Sequence, residues 1–305
     1  MSEGVEIALL ITRPRNSPGS VSDYVDLHDF CQEHGIETID TVNVNSKECI
    51  SQLSSIHCDV LFTLGWSQLF SSEFLSKFDL VVGSHPTKLP FGKGRAPVPL
   101  TILQNLKSSA VSFFIVDEGV DSGDVILQKE FDIPERPTAL SVYSLVADNL
   151  RNGFIEIVQG IRSGKKFRTI QLDETLSTHN AKRTAADGHL NFDRSAADID
   201  RLVRAVSYPY PGAYSYYKST KVSFFSSSIV DKEDYDGVNG QILEKSENAI
   251  RVKCGKQSVW LSEFKDEIGA HLDVSFFKIH DKLGYRVEDE IYKLYKAIEK
   301  LKEKC

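Results

Sequence analysis

His85 leaves a short apolar run, Leu80-Val81-Val82, by way of Gly83 and Ser84. A histidine there can give or take a proton near neutral pH. Asp121 follows within Asp117-Glu118-Gly119-Val120-Asp121-Ser122-Gly123-Asp124. A carboxylate beside an imidazole favours the protonated ring and fixes its orientation. From position alone, a histidine such as His85 is more often a satisfied structural residue, and Asp121 reads equally well as a turn or cap residue. Arg95, in Lys93-Gly94-Arg95-Ala96-Pro97, offers a fork of donors for a carboxylate or phosphate, or else is a solvated loop cation. No spacing of His, Cys and carboxylates suggests a metal site.

These residues need strands that end in one place. Ile7 to Ile11, Val60 to Leu64, Leu80 to Val82 and Ala110 to Val116 are short apolar runs expected as buried strands. Helical patterns lie between and beyond them, from Tyr24 to His34, Ser67 to Phe78, Pro97 to Leu106 and Leu140 to Arg162. This alternation predicts an α/β domain with a mostly parallel sheet and helices on both faces. In such a sheet ligands bind at the carboxyl ends of the strands, here Gly65-Trp66, Gly83-Ser84-His85 and Asp117 to Asp121.

The texture then changes. Leu172 to Asp193 is polar and reads as a connection, and Ile199 to Val206 as a short helix. Beyond Tyr208-Pro209-Tyr210-Pro211-Gly212, short β-rich segments alternate with turn residues, the pattern of a small barrel. The tail from Glu288 to Lys304 is a charged helix with Ile291, Leu294, Ile298 and Leu301 on one stripe, most simply a solvated or docking helix, or else a surface that pairs with a partner such as a second copy. The expected divisions are 1–195, 196–285 and 286–305. Tyr208, Tyr210, Tyr214, Tyr216 and Tyr217 could stack on a base, but packing is the simpler reading.

Composition narrows the classes. The 305 residues carry a net charge of -7, which weighs against a general nucleic-acid binder. Five cysteines without a C-x-x-C pair favour reduced thiols in the cytoplasm. The start lacks the pattern of a signal peptide, and no apolar run reaches membrane-spanning length.

Taken as a set, the motifs resemble the formyltransferases that use 10-formyltetrahydrofolate. The shared pieces are His85-Pro86-Thr87-Lys88-Leu89-Pro90, Lys93-Gly94-Arg95-Ala96-Pro97, the segment from Asp117 to Asp124, Lys182-Arg183-Thr184 with Asp187-Gly188, and Pro209-Tyr210-Pro211-Gly212-Ala213. The resemblance implies a Rossmann-like catalytic domain followed by a small OB-like β domain. It implies that His85 is the general acid/base and that Asp121 orients it. Gln68, Leu69, Phe70, Asp117, Glu118, Gly119 and Val120 match positions that cradle the folate, and Arg95 a position linked to a sugar-nucleotide. The implied reaction is N-formylation of a nucleotide-linked amino sugar, with no metal and no membrane partner. A methionyl-tRNA formyltransferase is the alternative enzyme, although the segment from Thr12 to Ser20 is short and weakly basic for tRNA contact. A folate or nucleotide-sugar binding protein without turnover is the other alternative.

Two departures from the family pattern stand out. The family carries an Asn two residues before the histidine, on the same strand face, where its amide can donate to a tetrahedral oxyanion. Here that residue is Gly83. The Thr12-Arg13-Pro14-Arg15 loop, which follows the second strand in relatives, here follows Val5 to Ile11. The family's first strand-helix unit is therefore expected to be missing, and with it the folate and substrate contacts of its loop.

Overall fold

A computed structural model describes residues 5–15, 25–53, 56 and 58–302. Two units emerge, Met1–Arg183 and Thr184–Cys305.

The first unit opens with β1 (Leu9–Thr12), α1 (His28–His34), β2 (Glu37–Asp40) and α2 (Lys47–Leu53). β1 and β2 pair in parallel and join no other strand among the described residues. The expected helix start at Tyr24 lies outside the described residues. β3 (Leu61–Thr63), α3 (Ser72–Leu75), β4 (Val81–His85), β5 (Lys93–Gly94) and α4 (Pro97–Leu103) follow. Then come β6 (Ser108–Ile115), β7 (Val125–Asp132), α5 (Ala139–Arg162) and β8 (His179–Asn180). The larger sheet runs β3-β4-β6-β7, and β5 pairs with β8. Pairing is parallel at β3–β4 and β5–β8 but antiparallel at β4–β6 and β6–β7.

The reasons are local. A capping box between Thr138 and Ser141 starts α5. Val142, Val146, Gly153 and Ile157 lie on its buried face. At Gly153 a Cβ would stand 2.2 Å from the Phe113 ring, so only glycine lets this helix lie that close to β6. Burying an aliphatic or aromatic side chain of this kind contributes about 1.5–3 kcal/mol. Ile39, Val44, Cys49, Ile50, Leu53 and Phe74 form a cluster, with Leu9, Ile11 and Leu61 packed against it. Side chains thus join β1 and β2 to β3 where no ladder does.

The second unit carries α6 (Ala196–Ala205), β9 (Ala213–Tyr217), β10 (Thr220–Ile229), β11 (Ile242–Lys245), β12 (Ala249–Lys253), β13 (Ser258–Lys265) and α7 (Val287–Lys302). The strands form one antiparallel sheet in the order β11-β12-β13-β10-β9, with no closure of its two edges among the described residues. The barrel pattern is therefore realised as an open five-stranded sheet. Tyr217 is buried against Phe276 and Phe277, whereas Tyr208 is half exposed and stacks on Phe225. The apolar stripe of α7 is exposed. No helix among the described residues is long and apolar enough to cross a membrane. Cys31, Cys49, Cys58 and Cys254 are free thiols, and burial pushes Cys254 up to about 12.

Candidate active site

β4 delivers His85 from a buried strand. Val81 and Val82 fill the core, and His85 itself is only 6% exposed. Across the ladder, Gly83 stands opposite Phe114, and His85 opposite Ser112. A Cβ at position 83 would meet the Phe114 ring at 2.8 Å and Val116 Cγ2 at 2.9 Å. The space beside His85 that a family Asn would need is thus filled by apolar side chains. An Asn there would need Phe114 to move.

Both ring nitrogens of His85 face partners. Nδ1 lies 3.4 Å from Asp121 Oδ2, and Nε2 lies 2.9 Å from the Gly92 carbonyl oxygen. The same Asp121 oxygen accepts the Gly94 N–H at 2.8 Å. Asp121 holds φ 47, a left-handed conformation that Asp tolerates better than most residues. The acid–base pair read from the sequence is therefore brought together.

A polar network pins the loop after His85. Ser112 Oγ donates to the Thr87 carbonyl at 2.7 Å and accepts the Leu89 N–H at 3.1 Å. Gln128 Nε2 donates to both the Leu89 carbonyl and Ser112 Oγ. Thr87 Oγ1 donates to the Phe91 carbonyl at 2.7 Å. Every one of these groups gains a partner, as buried polar atoms must.

β5 and β8 hold the other side. Gly94 pairs with Asn180, and the Gly92 N–H donates to Thr178 Oγ1 at 2.8 Å. Asn180 Nδ2 donates to the Gly92 carbonyl at 3.1 Å. Lys93 is 1% exposed and its Nζ lies 2.7 Å from Glu174 Oε1. Hydrogen bonds from Lys93 and then Ser177 hold the Glu174 carboxyl below the usual carboxylate range. Gly92 and Gly94 have φ of 71 and 98, which favours glycine in this close turn.

The expected folate residues come from two stretches that meet. Ser72 Oγ donates to Glu118 Oε1 at 2.5 Å, tying the region after Gln68 to the 117–121 loop. Gln68 donates to Asn43 Oδ1 and accepts the Val44 N–H, and the Leu69 carbonyl accepts from Asn45. Phe70 stacks on Phe74. Asp117 Oδ1 accepts the Gly119 N–H and Ser122 Oγ–H, which shapes the loop. Leu69 and Val120 are exposed apolar side chains on these two stretches. Arg95 is exposed, its side chain makes no ion pair among the described residues, and its N–H donates to the Asn180 carbonyl.

Sequence reasoning passed over Asn180, Thr178, Ser112 and Gln128. Asn180 lies in the polar stretch read as a connection, and no periodicity marks it. Among the described residues, no group of three His, Cys, Asp or Glu side chains could hold a metal ion.

The comparisons with known proteins agree on the lineage. The family described as formyl transferase matches residues 2–158, and the formyl transferase C-terminal domain matches residues 182–280. A methionyl-tRNA formyltransferase of Syntrophomonas wolfei is 25% identical over 254 residues, which is 82% of this chain and 80% of that one. The N-formyltransferase from Helicobacter canadensis, in complex with folinic acid and dTDP-3-aminofucose, gives a TM-score of 0.64 at 18% identity, over 84% of this chain and 99% of that one. HypX from Aquifex aeolicus in complex with tetrahydrofolic acid gives a TM-score of 0.65 at 17% identity over 92% of this chain. The chain spans about half, 51%, of the length of HypX. Likeness at these identities shows the fold, and the two matched domains settle the ancestry: the chain belongs to the formyl transferase family.

Proposed function

We propose that this protein transfers the formyl group of 10-formyltetrahydrofolate to the amine of a nucleotide-linked amino sugar. One observation carries the reading: His85 sits at the end of β4 with Nδ1 toward Asp121 and Nε2 toward the Gly92 carbonyl of the following loop. The formyl donor is a substrate that supplies an electrophilic carbon. Leu69, Phe70 and Val120 offer apolar surface for its ring system, and Gln68 with the 117–120 backbone offers polar edges. His85 exchanges a proton with the reacting groups, and Asp121 fixes the ring and balances its charge. Arg95, exposed on the neighbouring loop and in no ion pair among the described residues, suits a phosphate of the acceptor.

The acceptor is argued from charge. The whole chain is acidic, and Lys/Arg nearly balance Asp/Glu across residues 184–305. A tRNA-binding surface needs basic residues to release counterions from phosphates. A specific feature keeps methionyl-tRNA as the second reading. In the second unit, Tyr208, Tyr214, Phe225, Lys221 and Lys265 line an open groove of about 470 Å³, and the lysines lie over the aromatic rings. Aromatic faces with interleaved cations also suit bases and phosphates. The Syntrophomonas wolfei relative carries the methionyl-tRNA name.

The test is an assay of the purified chain with 10-formyltetrahydrofolate and either dTDP-linked amino sugars or initiator methionyl-tRNA, read by mass spectrometry. Formylated sugar is the expected product. Formylation confined to methionyl-tRNA, weakening steeply with salt, moves the acceptor to the second reading. Folate binding with no product from either acceptor makes the chain a binding protein.

A further inference from the structure

We infer that Asn180 supplies the oxyanion donor that Gly83 cannot, acting together with His85. The inference rests on the formyl-transfer reading above. On the β4 side no replacement fits, because Phe114 and Val116 fill the space around Gly83. On the opposite side, two side-chain N–H groups from distant parts of the chain converge on one oxygen. His85 Nε2 lies 2.9 Å and Asn180 Nδ2 3.1 Å from the Gly92 carbonyl. Donors at about 2.7–3.1 Å from a single oxygen are the geometry of an oxyanion hole. The Gly92 carbonyl stands in for the oxygen that the reaction would place there.

That carbonyl belongs to a residue able to turn. Gly92 has no side chain to carry and already holds φ 71, with Gly94 at φ 98 two residues on. Turning the 92–93 peptide gives up the Lys93 N–H bond to the Thr178 carbonyl and the two side-chain bonds to Gly92. Each such bond contributes little net, because water competes for its partners, and ligand contacts can offset the loss. Asn180 meanwhile stays placed by its backbone, whose carbonyl accepts the Arg95 N–H at 3.1 Å within the β5–β8 pairing.

The chemistry balances. The acceptor nitrogen forms a bond to the formyl carbon, and the C=O π pair moves onto oxygen, where Asn180 Nδ2–H and His85 Nε2–H donate to it. The pair then returns and the bond from the formyl carbon to N10 breaks. His85 Nε2–H gives its proton to N10 as that bond breaks and regains one from the acceptor nitrogen, giving the formamide and tetrahydrofolate. Asn180 stabilises charge that exists only during the reaction, so it acts on turnover and not on ground-state binding.

The experiment compares the unmodified chain with Asn180→Ala and the isosteric Asn180→Asp. It measures kcat and KM for formyl transfer, the affinity for 5-formyltetrahydrofolate, and the melting temperature. The expected result is a kcat lower by about 10²–10³ in both variants, with affinity for the folate within threefold. Asn180→Asp keeps the shape while losing both N–H donors, so it answers the question if Asn180→Ala fails to fold. A kcat within threefold of the unmodified chain in a folded variant overturns the inference. A parallel loss of folate affinity also overturns it, because that marks a structural role. If the unmodified chain forms no product from any acceptor, the formyl-transfer reading fails first and the inference falls with it.

Discussion

Arg251 and His85 are both buried and both charged or chargeable, but their partners differ in kind. Arg251, on β12 of the second unit, is 4% exposed. Its guanidinium donates to Ser258, Glu233, Asp234 and Glu244, and it lies over the Tyr235 ring. Burial opposes the charge, but the bonds it donates to Asp234 and Glu244 more than offset it and hold its pKa above the usual arginine value. Each of these hydrogen-bond partners is a side chain of the same unit. His85 has one carboxylate and one loop carbonyl. The first arrangement is closed and stabilises a fold. The second ends on the main-chain carbonyl of a glycine in a loop. The contrast is between a buried charge held by side chains and a buried imidazole that ends on loop backbone.

The comparison breaks first on His85. His85→Gln keeps a polar side chain but removes the proton donor and acceptor at neutral pH. Formyl transfer should fall by on the order of 10²–10⁴, with a melting temperature close to that of the unmodified chain. An equal loss of folded protein and of rate would show that His85 is structural, as its burial alone would allow.

Arg251→Met is the reciprocal test. The apolar stem is retained and the charge removed, which leaves Glu233 without its guanidinium partner. Because Asp234 and Glu244 are substantially exposed and regain water, the expected loss is about 2 kcal/mol in denaturant unfolding of the second unit. The rate per folded molecule should not change. A large fall in rate at unchanged stability would remove the contrast between the two sites.

How much of this was legible in the sequence depends on how each element is specified. β4 and α5 could be read because apolar runs and a 3.6-residue period reflect burial directly. β7 could not, since Val125–Asp132 is largely half-buried and carries Gln128, Lys129, Glu130 and Asp132. The helix expected from Ser67 to Phe78 shrinks to Ser72–Leu75, because Gln68, Leu69 and Ser71 are instead bonded to Asn43, Val44 and Asn45. His85 and Asp121 are recognisable by type and motif. Asn180 gains its place only through pairing with β5, some 88 residues from Gly92, and nothing local announces that. The filling of the space around Gly83 was equally hidden, because it depends on where Phe114 and Val116 point.

The smallest expected effect concerns a third histidine arrangement, one with two side-chain partners and more water. His28 Nδ1 lies 2.6 Å from Asp26 and Nε2 2.7 Å from Asp40, which links the start of α1 to the end of β2. Hydrogen bonds to Asp40 and then Asp26 raise the His28 pKa above its ordinary value of 6.5. The Asp26 carboxyl is held below its ordinary value, chiefly by the His28 backbone N–H and then its ring. A raised histidine stabilises the fold fully below pH 6.5 and loses that contribution as pH rises through the folded-state value. The lowered Asp26 acts in the other direction, losing its contribution only as pH falls below the carboxylate range. Amide-exchange protection across α1 and β2, corrected for intrinsic exchange rates, should therefore decline from pH 6 toward pH 9. His28→Gln should flatten that decline while leaving formyl transfer unchanged. An identical pH profile in the variant would show that the decline has a source other than the His28 imidazole and would remove it as the link between these two elements. His28 would then resemble neither Arg251 nor His85, because a polar group counts as a clasp only if removing it changes what it holds.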